Sequence, residues 1–267
     1  MKRACFLFLV LTAALSISCI MTVVDDQYPE GSWFPRSEFQ KTVALKPGAT
    51  LSLENTNGNI KIQGWDQEKV EITAAEKRNY PLSPRISFYR SQALEPKIDV
   101  QSSDDGIRIK TISAGSKEDE LRLVHYDLRV PRSVKLDGIH NGQGSIQISN
   151  IFGSLVIGQK EGDVSVKNFS GFVDIVLGSG SVEAEFLDVR PEDEVRIKTG
   201  QGDIVLYLEP RIEAQVDADA PDGGISSDID LKRPLPAKTL SVRLGEGKAA
   251  IMLSTHHGAI KIKKIEN

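Results

Sequence analysis

A nine-residue glycine repeat between residues 144 and 184 constrains the fold of this chain more than any other feature. Glycine occurs at positions 144, 153, 162, 171 and 180, and the second and fourth residues after each glycine are apolar. Apolar residues two positions apart are typical of a β-strand with one buried face, because successive side chains point to opposite sides. A short fixed period indicates stacked repeats, each of which buries its apolar side only against its neighbours.

The repeat predicts an all-β chain that folds as a single-domain parallel β-solenoid. Two nine-residue units make 18 residues, and the signal returns at Gly202 and Gly223 after spacings of 22 and 21 residues, so we expect coils of 18 to 22 residues. Each unit then consists of a strand of about five residues and a turn of about four. Glycine at a fixed phase predicts a corner that needs positive φ or close backbone approach. The predicted turn glycines are Gly58, Gly144, Gly153, Gly162, Gly171, Gly180, Gly202 and Gly258.

The first residues of the chain predict export and a lipid anchor. Lys2 and Arg3 precede a ten-residue apolar run, which has the length of a secretory signal and is too short to cross a bilayer. The following segment, Leu15-Ser16-Ile17-Ser18-Cys19, resembles a bacterial lipoprotein signal, which implies cleavage before Cys19 and acylation of its thiol. Cleavage by ordinary signal peptidase is the alternative. After cleavage Cys19 would be the only cysteine, and a lone exported cysteine calls for a partner or a modification.

The chain therefore divides into three predicted parts. Residues 1–18 form the signal peptide, residues 19–41 a lipid-anchored tether and N-terminal cap, and residues 42–267 the solenoid domain. Within the domain, residues 79–96 carry three prolines and three aromatic residues without a clean period, which predicts an irregular loop. This loop contains residue types that are enriched at binding hot spots, and they are our candidate partner-binding residues: Arg85, Phe88, Tyr89 and Arg90.

Charge and composition argue against several classes of function. Removal of residues 1–18 takes away two basic residues and no acidic ones, so the net charge changes from −4 to −6. An acidic protein is a poor match for nucleic acid, whose phosphates require a basic surface. The four histidines show no zinc-site spacing, and the repeated Gly-Gly-x-Gly-x-Asp motif of calcium-binding β-rolls is missing. We expect no metal, no cofactor and no catalytic residue.

One enzymatic alternative uses the same architecture. A polysaccharide-active enzyme on a β-helix would cluster acidic side chains along one groove, and Asp163, Asp174 and Glu183 occupy outward positions of successive units. Outward polar residues are also what any solvated strand requires, so the pattern by itself does not indicate catalysis.

Several stretches of the sequence resemble the bacterial β-strand-repeat adhesin family. The segment Asn57 to Trp65, followed by Val70-Glu71-Ile72, is similar to the opening unit of that family, and Tyr126 to Pro131 and the glycine-aliphatic units resemble its body. The resemblance implies an exported or surface-attached β-solenoid, often a lipoprotein, and supplies no catalytic residues. We therefore expect a non-catalytic lipoprotein, exported and anchored through Cys19 to a bacterial membrane, that binds an envelope protein or a glycan. The alternatives are a structural or regulatory envelope module without a glycan ligand, and the polysaccharide-active enzyme.

Overall fold

The computed structural model describes residues 33–79, 97–112, 122–209, 211–231 and 235–265. Within these ranges the regular elements are eighteen β-strands, and no helix is long and apolar enough to cross a membrane. The first nine strands are β1 (Trp33–Ala44), β2 (Thr50–Asn57), β3 (Ile60–Trp65), β4 (Lys69–Asn79), β5 (Lys97–Ser103), β6 (Gly106–Ile112), β7 (Arg122–Pro131), β8 (Lys135–Gln143) and β9 (Ile146–Glu161). The other nine are β10 (Val164–Ser179), β11 (Val182–Asp188), β12 (Glu194–Gln201), β13 (Ile204–Leu208), β14 (Ala214–Asp219), β15 (Ile225–Ser227), β16 (Thr239–Leu244), β17 (Ala249–His257) and β18 (Ile260–Lys264).

The strands form one sheet that folds into two walls. The long strands β9 and β10 belong to both walls and connect them. The back wall has the order β1, β4, β7, β3, the first halves of β9 and β10, β11, β13, β18 and β15. The front wall has the order β5, β6, β2, β8, the second halves of β9 and β10, β12, β17, β14 and β16. Most of the strands bury alternate side chains, and those of both walls meet in one largely aliphatic core.

The all-β prediction is confirmed, but the sheet is mixed and not parallel throughout. In the middle of the stack the strands are parallel and register partners are 18 residues apart, as in Ile146 beside Val164 and Val164 beside Val182. Four pairs near the two ends are antiparallel: β1 with β4, β4 with β7, β5 with β6, and β14 with β16. A stack of coils leaves unpaired strand edges and apolar interior at its ends, and added antiparallel strands cover them.

The coils do not stack in the order of the chain. The last coil, β17 and β18, lies between the coil of β12 and β13 and the coil of β14 and β15. At the other end, the coil of β2 and β3 lies between β6 and β7 on one side and β8 and β9 on the other. Each of these coils is therefore paired on both edges, although each lies near one end of the described chain.

The nine-residue unit is not the strand-and-turn repeat that the sequence predicted. Strands β9 and β10 each continue for 16 residues through Gly153 and Gly171. Their mid-strand corner lies at Asn150 and Asn168, whose φ values of 59° and 52° are left-handed. Asparagine tolerates this conformation better than most residues, and the two amides also link adjacent coils, because Asn168 Nδ2 donates to Asn150 Oδ1 at 3.0 Å. The structural repeat is thus the 18-residue coil with two unlike corners.

Several predicted features lie outside the described residues. They are the signal peptide at 1–18, Cys19, most of the tether and cap at 19–41, and the irregular loop with Arg85, Phe88, Tyr89 and Arg90. Residues 33–41, the described part of the predicted tether and cap, belong to β1, which pairs with β4 at the edge of the back wall.

Candidate functional site

Glycine occupies one corner of successive coils and lets them approach closely. At this corner stand Gly58, Gly144, Gly162, Gly180 and Gly202, with φ values from +121° to +136°, and Gly258 of the last coil. A Cβ atom on Gly162 would lie 2.0 Å from the carbonyl oxygen of Gly144, far closer than two such atoms can approach. The other two predicted glycines lie within strands, and a Cβ on Gly171 would lie 1.8 Å from the oxygen of Gly153. These glycines therefore allow the close stacking of the coils.

A buried polar ladder runs beside the glycine corner, and our sequence reasoning missed it. The residue three positions before the corner glycine is buried and polar in five coils: Asn55, Asn141, Gln159, Thr199 and Thr255. Four of these side chains donate to the carbonyl oxygen of the glycine in the adjacent coil: Asn141 to Gly58 at 3.0 Å, Gln159 to Gly144 at 2.5 Å, Thr199 to Gly180 at 3.0 Å and Thr255 to Gly202 at 2.8 Å. Buried polar side chains need such partners. The fixed phase of Asn, Gln and Thr relative to glycine is the signal that could have revealed the ladder.

The three acidic residues of the enzymatic alternative do not line one groove. Asp163 is at the glycine corner, where its Oδ1 atom accepts a hydrogen bond from the backbone N–H of Ser181 at 2.8 Å. Glu183 faces outward from the back wall. Asp174 faces outward from the front wall and forms an ion pair with Arg196 at 3.3 Å. Asp163 and Asp174 thus have structural partners, and the two walls separate Asp174 from Glu183.

The four histidines are also distributed over the molecule. His125 lies on β7 in the back wall and His140 on β8 in the front wall. His256 and His257 are adjacent at the end of β17, with ring centroids 4.4 Å apart, and His257 Nδ1 lies 2.5 Å from Asp222 Oδ2. Among the residues described, no three His, Cys, Asp or Glu side chains are grouped so that they could hold a metal ion.

Cationic and aromatic side chains come together at the second corner of the coils, which Asn150 and Asn168 form in β9 and β10. We call this surface the corner patch. It comprises Trp65, Lys69, Arg129, Arg132, Phe152 and Leu187. Backbone hydrogen bonds align three of its members in successive coils: Arg132 N–H donates to Trp65 O at 3.1 Å, and Phe152 N–H donates to Arg132 O at 2.7 Å. The corner patch is thus fixed to the strand ladder and does not depend on a flexible loop.

The guanidinium of Arg132 is held in place from two sides. Its Nε atom donates to Asp66 Oδ1 at 2.7 Å, and its Cζ atom lies 5.9 Å from the ring centroid of Phe152. Phe152 is 45% exposed, and Leu187, two strands further along the same corner, is 43% exposed. An exposed aromatic side chain beside an oriented arginine is typical of binding surfaces.

Trp65 supports the other side of the corner patch. Its indole N–H donates to the carbonyl of Lys69 at 3.0 Å, which fixes the ring orientation. The Lys69 ammonium and the Arg129 guanidinium lie 5.1 and 5.9 Å from its ring, within the range of cation–π attraction. Both cations also interact with Glu71, at 2.9 and 3.9 Å. Sequence patterns could not reveal this cluster, because Trp65, Arg132 and Phe152 are far apart in the chain.

Comparison with known proteins agrees with this architecture. Over most of its length this chain resembles the fold of a solved structure described as a putative cell adhesion protein from Clostridium sporogenes, with a TM-score of 0.50 and 14% identity over 86% of this chain and 100% of that chain. A structure described as a putative adhesin from Bacteroides fragilis covers 86% of this chain and 98% of its own, with a TM-score of 0.32 and 12% identity. At 14% identity the similarity to the first of these structures concerns the fold alone. No curated protein sequence matches this chain.

The family assignment comes from the sequence itself. The family model Toastrack DUF4097 matches residues 35–263, which include almost all of the described strands. The resemblance to bacterial adhesin-like repeat proteins that the glycine units indicated is confirmed. This chain belongs to the Toastrack DUF4097 family.

Proposed function

We propose that this protein is a non-catalytic, adhesin-like binding lipoprotein of the bacterial cell envelope, whose corner patch docks a protein partner. The observation that supports this proposal is the fixed arrangement of Arg132, Phe152 and Trp65 at one corner of the stacked coils. Arginine and aromatic residues are the types most enriched in the energetic centres of protein interfaces. A glycan ligand, the other binding function that we expect from the sequence, is a separate outcome of the test below.

The rigidity of the corner patch is the main argument for binding. An interface loses affinity when side chains and loops must be ordered on association, at about 0.5–1.5 kcal/mol for each long side chain. Arg132 is already oriented by Asp66 and Phe152, and Trp65 by the carbonyl of Lys69. Docking would therefore order few additional groups.

The cations on Trp65 favour a protein over a sugar at this position. A sugar ring stacks on a free aromatic face, whereas Lys69 and Arg129 lie close to the ring of Trp65. Phe152 remains available as an apolar anchor beside the Arg132 guanidinium, and the exposed Leu187 lies two strands further along the same corner. This combination fits an acidic protein segment with one or two apolar side chains.

The binding test uses envelope-protein and glycan arrays probed with the full chain. We expect Phe152→Ala and Arg132→Ala to reduce binding to the protein ligand at least tenfold, as for hot-spot truncations. Ile112→Ala is the matched control, because Ile112 is 44% exposed but belongs to β6, away from the corner patch. Binding that survives both corner-patch changes would contradict the proposal. Binding only to glycans would favour the glycan ligand.

The loop with Arg85, Phe88, Tyr89 and Arg90 remains a second candidate binding segment. Loss of binding on Phe88→Ala and Tyr89→Ala, without loss on Phe152→Ala, would assign recognition to that loop. If no array ligand binds, the structural or regulatory envelope module becomes the better description. Cleavage of acidic polysaccharides that is lost on Asp174→Ala would instead support an enzyme.

Localisation depends on Cys19. We propose that the mature chain begins at Cys19 and that its acyl chains hold the protein on a bacterial membrane, since two chains give stable anchoring. Cys19→Ala should move the protein from the membrane fraction to the soluble fraction. Mass spectrometry of the mature N-terminus should show an acylated cysteine, and an unmodified residue there would contradict lipidation.

A further inference from the structure

We propose that the front wall from β10 to β16 is a self-association surface, on which a second copy of this chain stacks through a two-fold axis parallel to β17. The surface is centred on a shallow open depression of about 280 Å³. One side of the depression is basic, with Arg196 and Lys198 on β12. The other side is acidic, with Asp217 and Asp219 on β14.

The register of the strands places these charges in straight rows across the wall. Arg196, Met252 and Asp217 are partners in one row, and Lys198, Ser254 and Asp219 are partners in the next. Neighbouring strands are about 4.8 Å apart, so the basic and acidic residues of a row are separated by about 9.6 Å. Among the described residues, Lys198 and Asp219 form no ion pair. Lys198 and Asp219 thus lack a counter-ion on their own wall, whereas Arg196 already pairs with Asp174 and Glu194.

A second copy can supply the missing counter-ions. When two copies stack face to face, the two-fold axis lies between them and runs parallel to β17. It places β12 of one copy opposite β14 of the other, and each row of residues opposite the same row of the other copy. Lys198 then faces Asp219 of the second copy, and Arg196 faces Asp217 of the second copy. The axis itself passes over Met252 and Ser254, which are partly buried and neutral and would contact their own equivalents.

The flanking strands are complementary under the same operation. The axis also places β10 of one copy opposite β16 of the other. Phe172 therefore faces Arg243 of the second copy, in the row that contains Glu194 and Gln215. Arginine over an aromatic ring is a favourable contact. In the next row Asp174 faces Ser241, an acceptor opposite a hydroxyl donor. No row places like charges opposite each other, which is the requirement for an interface that pairs a surface with itself.

The expected dimer is weak and sensitive to salt. Five strands at about 4.8 Å and three outward residues per strand cover about 500 Å² on each copy, so the total buried area is about 1,000 Å². Specific interfaces of this size are at the weak end of the known range. Salt screens the attraction between exposed charges, because the Debye length falls as the salt concentration rises. Added salt should therefore weaken the dimer.

Charge reversal provides the test. Sedimentation velocity of the full chain, with Cys19→Ser in every sample and under reducing conditions, should show a dimer at about 100 µM and low salt, weakened at least tenfold in 0.5 M salt. Lys198→Glu and Asp219→Lys should each make the protein monomeric. An equimolar mixture of these two variants should form a heterodimer, and the double variant should again form a homodimer.

The restored pairings distinguish this interface from other causes of lost association. Thermal melting of each variant checks folding, and recovery in the mixture excludes misfolding as the cause. A wild-type protein that stays monomeric up to 100 µM would overturn the proposal, as would association that both single changes leave intact. The test leaves the corner patch unchanged, so its failure would not affect the proposed binding function.

Discussion

Replacement of Gly162 by alanine tests the glycine corner most sharply. Gly162 has φ +121°, and a Cβ atom would lie 2.0 Å from the carbonyl oxygen of Gly144. Backbone strain of this kind costs about 1–3 kcal/mol for a non-glycine residue. The carbonyl must also move by about 1 Å, because Cβ contacts below 3.0 Å do not occur. That movement weakens neighbouring inter-coil hydrogen bonds, which contribute about 0.5–1.5 kcal/mol each. Together these terms predict a loss of about 3–5 kcal/mol in the free energy of unfolding.

Gly48 provides the matched control. It also has a positive φ, +79°, but a Cβ atom there meets nothing within 4 Å. Gly48→Ala should therefore cost only the conformational strain, about 1–2 kcal/mol. Urea denaturation of both variants, followed by circular dichroism, measures the difference directly. If Gly162→Ala is within about 1 kcal/mol of Gly48→Ala, the close approach of the coils at this corner is wrong.

Three further predictions concern polar groups in the interior. Thr255→Val removes the buried hydroxyl that donates to the Gly202 carbonyl and should lower the free energy of unfolding by about 1–3 kcal/mol. Thr56→Val, at an exposed position, should change it by less than about 0.5 kcal/mol, and equal effects of the two changes in urea denaturation would contradict the ladder. Arg122→Leu should cost about 3 kcal/mol because it removes the cation 3.8 Å from the buried Glu76 carboxylate, and adding Glu76→Leu should recover part of that loss in the same assay. Burial raises the pKa of Tyr126 to about 12, against a hydrogen bond with Thr111 that lowers it, so the ultraviolet difference between wild type and Tyr126→Phe should titrate near pH 12. Since the pKa of this phenol in the unfolded chain is about 10, its contribution to stability is complete below pH 10 and is lost as the pH rises from 10 to 12; titration near pH 10 in the folded protein would refute its burial.

The 18-residue coil could be predicted because its physical cause is local. The spacing of Gly144, Gly162 and Gly180 marks one corner per coil, and the aliphatic residues that follow each glycine pair in the predicted phase. The glycines at intermediate positions misled the prediction, since Gly153 and Gly171 lie inside strands. Both glycines allow close backbone packing, and Gly171 also has a positive φ of +124°, so they produce the same sequence signal as a turn.

The order of the coils and the corner patch could not be predicted in this way. The glycine-aliphatic units at Gly202 and Gly258 present similar edges, so a local pattern does not determine which coil stacks on which. The corner patch arises from that stacking, because its residues become neighbours only when β3, β7 and β9 are in register. The antiparallel end strands likewise depend on which edges remain uncovered.

Disulfide trapping tests the stacking of the coils most directly. In the structure Val205 on β13 is the register partner of Lys261 on β18, and Lys261 in turn is the partner of Ser226 on β15. In a chain whose two native cysteines are replaced by serine, Val205→Cys with Lys261→Cys should form a disulfide, because adjacent strands satisfy the Cα separation of about 4.4–6.8 Å that a disulfide requires. Val205→Cys with Ser226→Cys should not, because β18 lies between them. Oxidation of the second pair without the first would show that the coils stack in chain order and would contradict this account.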